Sequence, residues 1–386
     1  MNKIIALFKK ELMLSVSLVA AIVSLFITPP SKELAGSIDW KTLAILFMLL
    51  TVLEGFKKEN IFSPLLKKTS RLNSMKGLTC FFVYGVFFTS MFVTNDVSLI
   101  IFVPLTIILF RAGGKEQYIL PVLTFENIAA IRGSLLTPFG SPQNLFLFNA
   151  YNKQFEEGIS AFDFMKIMFP LWAGSFVLLY IFILVLYIKN QKEAISINQD
   201  EVCAEWKKEN RFKRILYIFL FMIVIATIVS RTVYWPYITA FVFAALLIGD
   251  RKILLQTDYV LLLTFLCFFV FSSSICHNEK IAGFLSESVS GREYWWSILL
   301  SQVISNVPAS IVLWPFTAEN GLKALLYGLD SAGLCSIIGS LASVINLRIY
   351  SREYPGKAFA FLKTFTWISL LFFAIVVIPQ LILLKF

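Results

Sequence analysis

The chain has 386 residues, of which 58% are hydrophobic and only 15% are charged, and it carries a formal net charge of +10. About a quarter of the residues in a soluble domain are charged, so this composition, with a mean hydropathy of +0.77, excludes an ordinary soluble protein. It predicts an all-α polytopic membrane protein, because helices satisfy their own backbone hydrogen bonds in lipid.

The first apolar run begins after an N-terminal segment that contains several lysines. The run at 12–29 is about as long as a membrane-spanning helix, and no small-residue cleavage site follows it. We therefore expect a retained first crossing rather than a signal peptide, with the N-terminus in the cytoplasm.

Further apolar runs of about spanning length follow along the whole chain. Together with the first, they cover residues 12–29, 39–55, 78–110, 117–150, 167–188, 215–230, 233–249, 258–276, 294–317, 322–347 and 364–384.

Two of these runs carry polar residues in the middle. The run 78–110 contains Thr94, Asn95 and Asp96, and the run 294–317 contains "SNVP", which is Ser305, Asn306, Val307 and Pro308. Non-helical backbone is tolerated at membrane depth only inside protein or beside a wet cavity. Both runs therefore predict re-entrant hairpins of two half-length helices that meet at a polar tip.

The distribution of positive charge favours this assignment. If both hairpins return to their own side, most of the 34 Lys and Arg residues fall in cytoplasmic pieces, chiefly 56–77 and 189–214. Counting either hairpin as a crossing would place later basic loops outside, against the positive-inside rule. The sequence thus predicts nine crossings and two hairpins, and the net charge reflects topology rather than nucleic-acid binding.

The same map contains an internal repeat. The order helix, helix, hairpin, broken helix, helix occurs twice, and "IDWKTLAILF" at 38–47 resembles "TDYVLLLTFL" at 257–266. We expect a first repeat at 1–189, a cytoplasmic linker and extra helix at 190–232, and a second, inverted repeat at 233–386. Inverted repeats with discontinuous helices are typical of secondary transporters that bind substrate near the midplane.

Residues 137–144, "TPFGSPQN", would form the unwound middle of the broken helix 117–150. Pro138 and Pro142 remove backbone donors, and Gly140 permits unusual backbone conformations. The freed carbonyls, with Thr137, Ser141, Gln143 and Asn144, could replace water around an ion, and a half-helix that begins near Gln143 would direct its N-terminus at the site. The equivalent positions in the second broken helix, 322–347, are Gly339, Ser340, Ser343 and Asn346, where no proline enforces a break.

The motifs "TND", "LTPFGSPQNL" and "SQVISNVPA" resemble those of the ion-transporter superfamily. That group includes citrate-transporter-like proteins, divalent-anion/sodium symporters, arsenite permeases and a class of sodium/proton antiporters, and the small bacterial inner-membrane anion permeases are the most similar. The resemblance implies inverted repeats, hairpin tips that meet the broken helices at the substrate site, and a homodimer that works by an elevator-like movement.

The dicarboxylate symporters of that group carry Ser-Asn-Thr at each tip, and here Asn95 and Asn306 keep the asparagine while both threonines are replaced. Asp96 would repel a carboxylate unless it is protonated or paired with a cation, so the tips are more similar to the arsenite-permease and antiporter branches. The resemblance also implies a Na⁺ site near Asn95, Asp96, Ser141, Asn306 and Ser340.

Several residues have a structural as well as a functional interpretation. Thr, Asn and Asp are good helix N-caps, so the alternative interpretation of "TND" is that it only starts the second arm. Asp96 is nevertheless the leading residue for proton or sodium coupling, because ionisable residues inside membranes are costly. Glu126 and Arg132 could pair with each other, which we favour over direct anion binding by Arg132, and Asp330 has the same ambiguity. His277 is the only histidine of the chain, and we interpret it as an interface residue rather than as part of a metal site.

The sequence thus predicts a secondary active transporter of a small ion in the bacterial cytoplasmic membrane, coupled to H⁺ or Na⁺. An anion is the favoured substrate. Sodium/proton antiport is the alternative, and an ion channel is a more remote one because re-entrant loops also build selectivity filters. We expect no enzymatic activity, since no HExxH or GxSxG motif is present. The expected partners are an inorganic or organic anion, the lipid bilayer and a second copy of the chain. No cofactor other than the coupling ion is expected.

Overall fold

The structure is a computed structural model that describes residues 12–27, 36, 38–59, 74–188, 210–230 and 232–384. Within these ranges the chain is helical, with sixteen α-helices, three short 3₁₀ helices and no strand. The first eight α-helices are α1 (Leu12–Ile27), α2 (Trp40–Lys58), α3 (Met75–Val93), α4 (Asn95–Ala112), α5 (Ile119–Ser134), α6 (Pro142–Gln154), α7 (Ala161–Leu186) and α8 (Arg211–Ser230). The others are α9 (Trp235–Leu254), α10 (Tyr259–Cys276), α11 (Glu279–Val289), α12 (Glu293–Ile304), α13 (Asn306–Leu313), α14 (Leu322–Cys335), α15 (Leu341–Glu353) and α16 (Ala358–Leu384). The 3₁₀ helices are Glu116–Tyr118, Trp314–Phe316 and Glu319–Gly321.

Two helical pairs are joined by a single residue with a positive φ angle. Thr94 joins α3 to α4 with φ 70° and ψ 156°, and Ser305 joins α12 to α13 with φ 71° and ψ 158°. Non-glycine residues rarely adopt a positive φ. In the part of the chain that the structure describes, these two are the only non-glycine residues that do so.

The two hairpins differ in the length of their arms. The arms of the second, α12 and α13, have 12 and 8 residues and are too short to cross a bilayer alone. The arms of the first, α3 and α4, have 19 and 18 residues, so each is about 28 Å long and the expectation of two half-length helices is wrong there. Ser74 caps α3, which begins at Met75, three residues before the apolar run, and α4 continues through Pro104 to Ala112.

Two helices are broken near their middle. Residues 135–141 separate α5 from α6, and residues 336–340 separate α14 from α15. The half-helix α6 begins at Pro142, next to the residue from which the sequence predicts it to start. Proline suits this first helical position because its fixed φ fits the helix and the missing N–H would be unpaired there anyway.

The hairpins and the broken helices pack together. The first arm of each hairpin packs against the first half of the following broken helix, α3 on α5 and α12 on α14. The second arms cross over: α4 packs against α15, and α13 packs against α6. The long helices α7 and α16 pack beside α5 and against each other.

A second group of helices comprises α1, α2, α8, α9 and α10. Helix α2 packs against α8 and α9, and α1 packs along α10. At one end of this group the buried carboxylate of Asp250 accepts hydrogen bonds from Lys58 at 3.0 Å and Tyr217 at 3.0 Å, and it forms an ion pair with Lys213 at 2.8 Å. These contacts join α2, α8 and α9, and Asp250 has non-helical dihedral angles that kink α9.

By length and composition alone, five of the described helices could each cross a membrane: α3, α4, α7, α8 and α16. A sixth span results if α9 and α10, which are bent by 106° at their junction, are counted as one. The nine predicted crossings exceed this number, partly because α2 carries too many charged residues and the halves of the broken helices are each too short. The basic segments 1–11, 60–73 and 190–209, which support the topology prediction, lie outside the described residues.

Candidate functional site

The site is built from two arrangements that we call the first and second break pairs. In the first break pair, the residues around Thr94 meet residues 135–141 of the α5–α6 break. The backbone N–H of Asn95 donates to the carbonyl of Gly140 at 3.3 Å. An alanine Cβ at Gly140 would lie 2.1 Å from the carbonyl oxygen of Ser134, so the close backbone approach requires glycine here.

The second break pair repeats this geometry around Ser305 and residues 336–340. The N–H of Asn306 donates to the carbonyl of Gly339, also at 3.3 Å. An alanine Cβ at Gly339 would lie 2.1 Å from the carbonyl oxygen of Ala332. Ser141 and Ser340, which directly precede α6 and α15, have similar extended dihedral angles. In each pair the N-terminus of one helix therefore lies beside that of another.

The side chain of Thr94 does not act as the helix N-cap that one interpretation of "TND" expects. Thr94 occupies the N-cap position of α4, but its side chain makes no capping hydrogen bond. The side-chain oxygen of Asn95 accepts the N–H of Asp96 at 2.9 Å. Asp96 is largely buried, and among the described residues its Oδ1 has no hydrogen-bond partner.

Several other buried polar atoms at the break pairs also lack a hydrogen-bond partner in the described part of the chain. They are Ser141 Oγ, Gln143 Oε1, Asn144 Oδ1 and Ser305 Oγ, and Asn346 Oδ1, farther along α15, is also unpaired. Burying a polar group without a partner is costly, and most buried polar groups in proteins are paired. Unpaired oxygens that cluster at helix breaks are therefore suited to an ion or a polar substrate.

The remaining predicted residues connect the two halves of the molecule or support the breaks. Asn127 donates to the hydroxyl of Ser343 at 2.9 Å, and Asn346 donates to the carbonyl of Leu123 at 2.8 Å, so both bonds join α5 to α15. The hydroxyl of Thr137 donates to the carbonyl of Met91 and ties the first break to α3. Pro138, Val307 and Pro308 contribute shape and backbone geometry rather than a polar atom.

The predicted pairing of Glu126 with Arg132 is wrong. Glu126 accepts a hydrogen bond from Thr106 on α4, whereas Arg132 Nε donates to Ser175 on α7 at 3.0 Å. Six residues along a helix leave two side chains about 120° apart around its axis, so the two groups face different neighbours. Gln143 instead donates to Asp330 Oδ1 at 3.2 Å and connects α6 to α14.

Sequence reasoning missed four polar residues around the site: Thr106, Asn127, Ser175 and Gln302. Gln302 donates to the carbonyl of Ala332 at 3.2 Å and accepts the hydroxyl of Ser336 at 2.6 Å, so it supports the second break. Thr106, Asn127 and Ser175 lie outside the motifs, and only their position as isolated polar residues in apolar runs could have indicated them. Gln302 lies inside the motif "SQVISNVPA", but the sequence predicts no role for it.

Broken helices and hairpins in a membrane protein define the class of transporters with a site between discontinuous helices. The comparisons identify the family: the chain belongs to the citrate transporter family, whose family model matches residues 3–339. It is similar to "Uncharacterized transporter MJ0456" of Methanocaldococcus jannaschii, with 30% identity over 82% of this chain and 83% of the relative. It is also similar to "Inner membrane protein YbiR" of Escherichia coli, with 30% identity over 84% of each chain. The protein is therefore a multi-pass membrane transporter.

Proposed function

We propose that the protein is a secondary active transporter that moves a small anion across the bacterial cytoplasmic membrane, coupled to H⁺ or Na⁺. Substrate and coupling ion bind at the two break pairs, and an elevator-like movement exposes them to either side in turn. The working unit is a homodimer, as the family resemblance implies. The repeats 1–189 and 233–386, joined by 190–232, are related by inversion in the membrane.

One observation carries this proposal: two sequence-distant breaks share the same backbone geometry and hold unpaired polar atoms. The N–H to carbonyl distance is 3.3 Å in both, and the φ angles of Thr94 and Ser305 differ by about 1°. A duplicated unit accounts for this agreement more simply than chance. The crossing of α4 to α15 and of α13 to α6 supports a substrate site made by both repeats.

Helix N-termini favour anions because the helix dipole is positive there. In each break pair two such ends adjoin, those of α4 and α6 in the first and those of α13 and α15 in the second. The unpaired carboxylate oxygen of Asp96 lies in the same first break pair and suits a proton or Na⁺. An anion and a cation bound together would leave the site nearly neutral during transport.

Sodium/proton antiport is a second candidate function. Its basis is Asp96 itself, because a carboxylate at a hairpin tip attracts a cation and repels a free anion. In antiport the same carboxylate would bind Na⁺ and H⁺ alternately, and the N-termini would stabilise its ionised form.

The test uses the purified full-length protein in liposomes with an imposed Na⁺ or H⁺ gradient. Radiolabelled sulfate, phosphate and citrate are the probes, and the variants are Asp96→Asn and Glu156→Gln. Glu156 is an exposed acid in the loop after α6, so its change removes one charge far from Asp96. We expect wild type and Glu156→Gln to accumulate one probe until an ionophore collapses the gradient. Asp96→Asn should show only the uptake seen without a gradient.

Three other outcomes would contradict parts of the proposal. If no probe accumulates but imposed Na⁺ influx changes the internal pH, the protein is an antiporter. Flux that does not saturate and never exceeds equilibrium indicates a channel. If Asp96→Asn retains full gradient-driven accumulation, Asp96 does not bind the coupling ion.

A further inference from the structure

A pair of opposite charges lies buried between the two broken helices. Arg132 is on α5 and Asp330 on α14, and their exposed fractions are 0% and 1%. None of the ion pairs between described residues includes either side chain. The two residues nevertheless lie on helices that pack against each other, and a Cβ at Gly333 on α14 would lie 3.1 Å from Ile131, the residue before Arg132.

Most of the hydrogen-bonding atoms of these two side chains have no partner in the described part of the chain. Arg132 donates through Nε to Ser175, while Nη1 and Nη2 have no hydrogen-bond partner. Asp330 accepts from Gln143 through Oδ1, while Oδ2 has none. A buried ion pair is stable only with close geometry and satisfied hydrogen bonds. Since this pair has neither, both groups keep hydrogen-bonding capacity for a ligand or a proton.

Gln143 connects this pair to the first break pair. It lies in the first turn of α6, two residues after Ser141, and its amide nitrogen donates to Asp330 at 3.2 Å. Its Oε1 and the hydroxyl of Ser141 are both unpaired. A ligand bound at the first break would thus lie one side chain away from Asp330.

We propose that Asp330 is a second coupling site, which binds one proton, and that Arg132 is the fixed positive charge that this proton exposes to an anion. This inference rests on the proposed transport function. It adds to that function the identity of a coupling ion, the proton, and the negative charge of the substrate. It is distinct from the site at Asp96, which belongs to the hairpin tip.

The coupling follows from charge balance. While Asp330 is ionised, it offsets the positive charge of Arg132 and the buried pair is neutral. When the carboxylate takes up one proton from water on the loading side, the guanidinium charge is no longer offset and attracts an anion to the adjoining break. After the movement the anion leaves, and the same proton passes to water on the opposite side.

The surroundings of Asp330 contain few competing charges. Helix α14 packs against α5, α12, α13, α16 and the 3₁₀ helix at 319–321. Titratable or charged groups on these elements and on α14 itself are Glu126, Arg132, Glu293, Tyr294, Glu319, Lys323, Tyr327, Cys335 and Lys363. Arg132 is the buried cation among them. Glu126 is bonded to Thr106, and Tyr294 donates to Gln380 at 2.6 Å.

The first test measures proton binding without any substrate. Infrared difference spectra of the purified protein at a series of pH values report the carbonyl band of protonated carboxylic acids. We expect one component of this band to be absent in Asp330→Asn and to remain in Asp96→Asn and Glu156→Gln. Should Asp330→Asn fail to fold, Asp330→Glu keeps a carboxyl group and must shift that component in frequency. Spectra of these Asp330 variants that equal the wild type would overturn the proposal.

The second test measures the pH profile of anion uptake with sulfate, phosphate and citrate as probes. Uptake that requires one bound proton falls about tenfold per pH unit once that proton is lost. Wild type should show this fall, and in Asp330→Asn the profile should be less steep by the dependence on one proton. Arg132→Gln should lose uptake at every pH, whereas Arg132→Lys, which keeps the charge, should retain part of it.

The two tests separate the failure of this inference from failure of the proposed function. If wild type transports a probe and Asp330→Asn keeps the wild-type pH profile, the inference is wrong while anion transport stands. If wild type moves no probe, anion transport is wrong for these substrates, and the infrared spectra still decide whether Asp330 binds a proton.

Discussion

The two break pairs have the same backbone but different means of holding it. In the first, Pro138 and Pro142 flank Gly140 and remove two backbone donors from the break. The second has no proline between Ser336 and Ser340. There, Gln302 bonds to the carbonyl of Ala332 and to Ser336, whose hydroxyl accepts the N–H of Gly339 at 3.3 Å. A helix break can therefore be maintained either by excluding hydrogen bonds or by satisfying them with a side chain.

The chemistry of the two pairs also differs. Both tips keep an asparagine whose N–H donates to the facing glycine, but the next residue is Asp96 in one and Val307 in the other. The geometry is thus present twice, and a carboxylate is present at one tip only. This asymmetry favours one coupling ion at the hairpin tips rather than two.

The strongest test of the shared geometry replaces the glycine that faces each tip. Gly140→Ala and Gly339→Ala would each place a Cβ 2.1 Å from a backbone carbonyl. Because backbone cannot move aside cheaply, we expect each to lower the free energy of unfolding by about 3 kcal/mol or more. The measurement is the fraction of monodisperse protein that remains after heating in detergent.

Gly174→Ala is the matched control, because an alanine Cβ at this position of α7 meets nothing within 4 Å. In a helix this change should stabilise by roughly 0.5–1 kcal/mol. If Gly140→Ala lowers the fraction of monodisperse protein while Gly339→Ala leaves it unchanged, the two break pairs are not structurally equivalent.

The second prediction concerns the side chain that holds the second break. Gln302→Ala leaves the carbonyl of Ala332 and the hydroxyl of Ser336 without this partner, which should cost about 1–3 kcal/mol. Gln117→Ala, at an exposed position, should stay within about 0.5 kcal/mol of wild type. Equal melting temperatures for wild type and Gln302→Ala would mean that the second break needs no side-chain support.

The sequence predicts the helical class, the polar tips and the first break, because prolines and intramembrane polar residues are local signals. It does not predict the partners of Glu126 and Arg132, since these depend on how α4 and α7 pack against α5. The sequence underestimates the length of the arms of the first hairpin, because the apolar run ends near Lys76 and at Arg111 whereas the helices continue past these residues. The role of Gln302 depends on a contact between residues 30 positions apart, which no local pattern encodes.

The smallest predicted effect comes from giving the second break the proline of the first. Leu341 occupies the same first helical position in α15 that Pro142 occupies in α6. Ser340 before it has φ −146° and ψ 137°, an extended conformation that a following proline favours. The N–H lost in Leu341→Pro has no partner within the helix. The substitution should therefore stabilise the protein by about 0.4–1 kcal/mol, because proline lowers the conformational entropy of the unfolded chain. The measurement is a small rise in melting temperature. A clear fall would mean that the second break depends on the leucine side chain or on a different backbone than the first.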